Sequence, residues 1–262
     1  LWTNIDDISL DNIDNIHGSI NNSDNPSNND DTQIVGIIGE QGNNTLSISD
    51  TNRTTIIINC QLFKEGNTCV SDAVKCLQYL TNLKNTIFSK KIIVIKNCWT
   101  LNAYSLTLKN ALDQPGILHI VPAGNNGLNN DIIDIFPGNY IHDLDNIIVV
   151  GSTDNKDHYS TFSNFGSKTV HLSAPGEQLI SNGLNNNTSP EKYEIGTLQA
   201  AGHVTSAIIL LLHKNVFLDI KAIKKHIFNN VDINNHENIP TITNGTLNVN
   251  RLINDTKIHF DS

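Results

Sequence analysis

Gly196-Thr197-Leu198-Gln199-Ala200-Ala201-Gly202-His203-Val204 opens the longest helical pattern of the chain, which runs from Thr197 to about Lys214 and carries Ala207-Ile208-Ile209-Leu210-Leu211-Leu212 in its middle. A helix apolar around most of its circumference belongs inside a core. Six apolar residues fall far short of the roughly 18 needed to cross a bilayer, so no membrane span is expected. The strands such a helix would cover lie upstream. Lys91-Ile92-Ile93-Val94-Ile95, Gly116-Ile117-Leu118-His119-Ile120-Val121-Pro122 and Asn146-Ile147-Ile148-Val149-Val150-Gly151 are apolar on successive residues, the mark of strands covered on both faces. Between and after them lie helical patterns. Cys69 to Leu83 has apolar residues at Val70, Ala73, Val74, Leu77, Leu80 and Leu83, Ser105 to Leu112 forms a short helix, and Asp219 to Phe228 places Ile220, Ile223 and Ile227 on one face. Strands alternating with helices predict an α/β fold, a doubly wound parallel sheet flanked by helices.

The first third is less regular. Leu1 to Asp31 is an Asn/Asp-rich segment expected at the surface. Ile34-Val35-Gly36-Ile37-Ile38 is too short for periodicity to decide between helix and strand, whereas the β-branched run Thr55-Ile56-Ile57-Ile58-Asn59-Cys60 reads as a strand. With 262 residues and no convincing linker, the chain is read as a single domain over 1–262. It starts at Leu1 and contains no methionine, which reads as a piece of something longer. The 17 basic against 26 acidic side chains, net charge -9, argue against nucleic acid as a partner. The 40 asparagines and abundant isoleucine are favoured by AT-rich codons, such as those of an apicomplexan genome.

Four cysteines, Cys60, Cys69, Cys76 and Cys98, lack the paired C-x-x-C spacing of a zinc site. Buried free thiols and one or two disulfides both fit, and four cysteines allow three pairings. Asp6, Asp7, Asp11, Asp14, Asp24, Asp30 and Asp31 supply the oxygen ligands calcium takes, without a fixed loop spacing, and a solvated acidic loop accounts for them more simply. Sequons such as Asn43-Asn44-Thr45, Asn52-Arg53-Thr54 and Asn244-Gly245-Thr246 arise by chance in a chain this rich in asparagine.

Gly196 to Val204 resembles the Gly-Thr-Ser-Met-Ala-Ser-Pro-His-Val nucleophile motif of the subtilisin-like serine proteases, and five further blocks follow that family's order. Leu1-Trp2-Thr3-Asn4 with Asn12-Ile13-Asp14 resembles the segment after the family's first catalytic strand, and Val35 to Gly39 with Gly42-Asn43-Asn44 the helix after its histidine. Val121-Pro122-Ala123-Gly124-Asn125-Asn126-Gly127 is similar to the oxyanion segment. Phe162-Ser163-Asn164-Phe165-Gly166 through Ala174-Pro175-Gly176 resembles Phe-Ser-x-x-Gly and Ala-Pro-Gly. Gly245-Thr246-Leu247-Asn248-Val249 resembles the closing Gly-x-Leu-Asn-Ala. The resemblance implies a secreted, vesicular or surface endopeptidase fold, often stabilised by calcium, and a peptide or protein ligand.

Transferred residue by residue, the resemblance implies a dismantled site. The family's chemistry needs a hydroxyl nucleophile, an imidazole base and a carboxylate that fixes the imidazole tautomer. Leu198 stands at the nucleophile position, and leucine has no lone pair to activate. The histidine falls at Asp30 and a second family histidine at Gln33; no histidine occurs between His17 and His119, so a shift of register does not restore one. The aspartate belongs to a strand expected before Leu1. Asn125 matches the oxyanion asparagine. Ser206 would be buried, His203 matches a structural histidine, and His17 reads as a solvated loop residue, so none substitutes for the triad. Gly202 replaces a proline and is expected to loosen the helix start. Cys98-Trp99-Thr100 occupies the strand end that in the family binds a peptide as an added strand, although a core aromatic is the simpler reading of Trp99. The expectation is a non-catalytic peptide- or protein-binding pseudoprotease; the alternative is an active serine endopeptidase with a rearranged site.

Overall fold

A computed structural model describes residues 58, 60, 69–88, 91–177, 179–181, 192–233 and 239–255. The segment Leu1–Asp31 with the aspartate cluster and His17, the positions Asp30 and Gln33, the run Ile34–Ile38, and Thr55–Cys60 apart from Ile58 and Cys60 lie outside the described residues.

The described chain begins with α1 (Val70–Thr86), then β1 (Ile93–Lys96), α2 (Leu106–Leu112), β2 (Ile117–Pro122), a short 3-10 turn (Gly138–His142) and β3 (Ile147–Thr153). After these come β4 (Leu172–Pro175), β5 (Leu179–Ser181), β6 (Lys192–Glu194), α3 (Thr197–Lys214), α4 (Ile220–Asn229), β7 (Val231–Ile233), β8 (Gly245–Leu247) and α5 (Val249–Asn254). One sheet runs in the order β1-β2-β3-β4-β8-β7, parallel from β1 to β8, with β7 antiparallel at the edge. The expected α/β fold with a parallel sheet between helices is therefore the one observed. It adds elements too short for a periodicity argument: β4, the antiparallel pair β5 and β6, and the β7–β8 pair that closes the sheet.

Strand pleating explains why the runs are apolar throughout. Leu118 and Ile120 of β2 with Ile148 and Val150 of β3 face α3, where Ala200, Ala201, Val204, Ala207, Ile208 and Leu211 pack on them. Val121, Ile147 and Val149 face the other way, against Val74 and Leu77 of α1, Leu108 and Leu112 of α2, Phe136 and Tyr140. The residues of β2 and β3 are all buried, whereas those of β1 are half-buried. The small residues at the start of α3 let that helix lie close on the sheet. Gly202 is buried within it, and the helix is continuous from Thr197 to Lys214.

Helix starts follow the local sequence. Ser105 caps α2 by accepting from Leu108 N, Asp219 caps α4 by accepting from Ala222 N, and Asn248 caps α5 by accepting from Arg251 N. The cysteines resolve into one disulfide, Cys60–Cys76, with Cys69 exposed and Cys98 half-buried as free thiols. The bridge fastens Cys60 to a buried face of α1, where Ile58, Cys60, Tyr79 and Phe88 pack against Cys76, Leu80 and Leu83. No helix of the described residues is long and apolar enough to cross a membrane.

Candidate functional site

The loop after β2, the Phe162–Gly166 segment, the end of β4 and the start of α3 converge on one place. Asn164 joins the first two: its Oδ1 accepts from Asn126 N and Leu128 N, both at 3.0 Å, and its Nδ2 donates to Ala123 O and Asn130 Oδ1, both at 3.1 Å. Asn130 adds a bond from its Nδ2 to Ala123 O at 2.9 Å. Asn130 and Asn164 are fully buried, and every polar atom they bring inside is thereby satisfied. Gly124 sits at the tightest point with φ +110, and a β-carbon there would lie 2.5 Å from Asn164 Nδ2. Glycine is required at that point both for the backbone and for the approach.

The α3 start is tied to the same loop. Gly196, the N-cap, has no side chain to satisfy the first N–H groups of the helix. Asn125 supplies the missing acceptor: its Oδ1 takes hydrogen bonds from Thr197 N at 2.9 Å and Thr197 Oγ1 at 2.8 Å. Gly124 N in turn donates to Thr197 Oγ1 at 3.2 Å. Because two donors bind one oxygen, the orientation of the Asn125 amide is fixed, and its Nδ2 makes no hydrogen bond to a described residue. Gly196 N donates to Gly176 O at 2.8 Å, which brings the Ala174-Pro175-Gly176 segment to the helix start. A β-carbon at Gly196 would lie 2.8 Å from Gln199 Oε1 and 3.2 Å from Asn125 Nδ2. Further along the sheet, Ser173 Oγ meets Thr246 Oγ1 at 3.0 Å and donates to Gly245 O at 3.1 Å, which seats the Gly245–Val249 segment beside β4.

Leu198 is the second residue of α3, half-buried, with no acidic side chain in that first turn. Gln199, its neighbour, is buried with an unpartnered Oε1. Ser206 is buried farther along the same helix, as expected. His203 is half-buried; its Nε2 has no hydrogen-bond partner, and burial lowers the pKa of its ring. Cys98 and Trp99, just past β1, are half-buried and Thr100 is exposed. Trp99 packs on the cluster built around Phe136, Tyr140 and Leu108, so at least part of its surface belongs to the core.

Two more histidines are buried and engaged in structure. His119 on β2 sits between Leu112 O at 3.2 Å and Asn97 Nδ2 at 3.3 Å, so the backbone contact takes Nε2–H and Nδ1 accepts. Burial holds its pKa down at about 4. His171 Nδ1 accepts from Val149 N at 3.0 Å, and its ring stacks on Phe228 at 5.1 Å. Its pKa falls to about 3, chiefly through burial and secondarily through the charge of Lys224. Both are neutral rings at neutral pH. No group of three His, Cys, Asp or Glu side chains able to hold a metal occurs among the described residues, and the aspartates offered for calcium lie outside them.

Sequence reasoning found Asn125 but missed its capping bond, and it missed Asn130, Asn164 and Gln199. Asn164 was legible as part of Phe162–Gly166. Asn130 stands in a chain where asparagine is too common to signal burial.

The chain resembles known proteins in sequence and in fold. A sequence model of the subtilase family matches residues 3–252. Over 188 residues the chain is 28% identical to the thermophilic serine proteinase of Bacillus sp. (strain AK1), covering 70% of this chain and 42% of that protein. Over 235 residues it is 28% identical to subtilisin-like protease 1 of Plasmodium falciparum, covering 80% of this chain and 33% of the relative. The chain thus spans less than half the length of these relatives. Among solved structures, a cold adapted subtilisin-like serine proteinase superposes with a TM-score of 0.54 at 23% identity, over 70% of this chain and 61% of that one, a likeness of fold.

Proposed function

We propose that this chain, which belongs to the subtilase family, is a non-catalytic member that binds an extended peptide or protein segment without cutting it. The observation that carries the reading is Leu198. It stands at the second residue of α3, beside the Thr197–Asn125 bonds that define the helix start, and its side chain has nothing a base can activate. The cradle around it is otherwise kept: Asn125, Gly124 and Gly196 hold tight, specific geometry. The absence of any histidine between His17 and His119 supports the same conclusion for the base. Without nucleophile and base, an oxyanion donor and substrate contacts leave only a small residual acceleration over water.

Peptide binding is supported by β1. Cys98, Trp99 and Thr100 continue from its C-terminal end, with Thr100 exposed. An extended peptide laid along this segment gains main-chain hydrogen bonds and places alternate side chains in pockets. The Cys60–Cys76 disulfide favours an oxidising, secretory or surface setting.

The test is incubation of the purified protein with a library of extended peptides, followed by mass spectrometry of bound and unbound fractions. Retention of intact peptides, weakened in Thr100→Pro, is expected. Cleaved products would favour an active endopeptidase, and failure to retain any peptide would remove the binding role.

A further inference from the structure

We propose that Lys96 and Cys98 form a redox-modification site, in which oxidation of the Cys98 thiol is trapped as a covalent bond between Cys98 Sγ and Lys96 Nζ. The pair, not the cysteine alone, is the feature. Lys96 ends β1 and Cys98 follows two residues on, so extended backbone turns both side chains to the same face. Lys96 Nζ lies 3.2 Å from Cys98 Sγ, a distance within the range at which reacting atoms are positioned for attack. Asn97, between them, points to the opposite face and is engaged with His119. Both members of the pair are half-buried, which admits a small oxidant while keeping the amine against the sulfur. Cys60 and Cys76 are consumed in their disulfide, whereas Cys98 is bonded to no sulfur and its Sγ meets Lys96 Nζ at 3.2 Å and the Lys96 carbonyl at 3.9 Å.

The oxidant is a peroxide. In the first step hydrogen peroxide transfers one oxygen to the thiol: its O–O bond breaks, sulfur loses two electrons and becomes a sulfenic acid, and one water is released. In the second, the amine of Lys96, once it has given its extra proton to solvent, attacks Sγ. The S–O bond breaks, the hydroxyl departs as water with a proton from nitrogen, and an S–N bond remains. The product is two hydrogens lighter than the starting pair, and a thiol reductant returns both groups. The bond ties alternate residues at the end of β1, beside Trp99. This site does not depend on the peptide-binding reading.

Peptide mapping after peroxide treatment of the whole protein tests it. Expected is a Lys96–Cys98 peptide two hydrogens lighter, uncut by trypsin at Lys96 and unalkylated at Cys98, with both properties restored by a thiol reductant. In Lys96→Gln, Cys98 should instead accumulate as a dimedone-reactive sulfenic acid and proceed to sulfinic acid. The proposal is overturned if wild-type Cys98 is left unoxidised, is captured by dimedone while trypsin still cuts at Lys96, or pairs with another thiol.

Discussion

The Oδ1 of Asn125 accepts from both the N–H and the hydroxyl of Thr197, the two donors at the start of α3 that Gly196 has no side chain to satisfy. The residue that resembles an oxyanion donor therefore also works as a helix cap supplied from another loop. That second role predicts a pattern a purely catalytic relic would not show. Asn125→Ala should lower stability by about 1 kcal/mol, the usual cost of losing a cap. Asn125→Asp keeps the acceptor and places negative charge at a helix N-terminus, so it should match or exceed the parent. Urea midpoints of the two variants check this, and an equal loss in both would show that the carbonyl contact is not what matters. Leu198 belongs to the same scale: with no histidine between His17 and His119, Leu198→Ser by itself should not acquire protease activity against a generic peptide substrate.

At the scale of elements, α1 is held twice, by Val74 and Leu77 against the core and by the disulfide from Cys76 to Cys60. The closed loop spans a sequence separation of 16. Cross-linking a loop of that length restricts the unfolded chain by about 3 kcal/mol. Replacing both cysteines with alanine should cost that order of stability, read from denaturant midpoints, and an unchanged midpoint would mean the bridge does not form in the folded protein. The sequence made β2, β3, α1, α3 and α4 legible because each is long enough for its pattern of burial to repeat. It was silent on β5, β6, β7 and β8, since three residues carry no period and their pairing is decided by neighbours distant in the chain. The site divides in the same way. Gly124, Asn125 and Leu198 could be read from motif spacing, but Asn130 owes its role, and Gln199 its burial, to tertiary packing that no local pattern announces.

For the whole molecule, the sheet is sealed by α3 on one face and by α1 and α2 on the other, and each side encloses ionisable rings that must stay neutral. His119 and His171 have pKa values of about 4 and about 3 in the fold, against the ordinary 6.5. As pH falls below 6.5 the unfolded chain takes up protons that the fold refuses, so stability present above 6.5 is lost progressively down to about 4 and about 3. The limiting slope is about 1.4 kcal/mol per pH unit for each ring. Asp131 and Asp154, held below the usual 3.8 by hydrogen bonds, add their loss only at lower pH. Denaturation midpoints across this range should therefore begin to fall near the ordinary histidine pKa rather than near that of carboxylates, and a flat profile down to the carboxylate range would contradict the burial of these rings. The central claim, a subtilase fold without subtilase chemistry, meets its most direct test in labelling of the purified protein, in its longest natural form, by a fluorophosphonate probe that reacts only with an activated serine. The account predicts no labelling above that of heat-denatured protein, and stoichiometric labelling of any serine would contradict it.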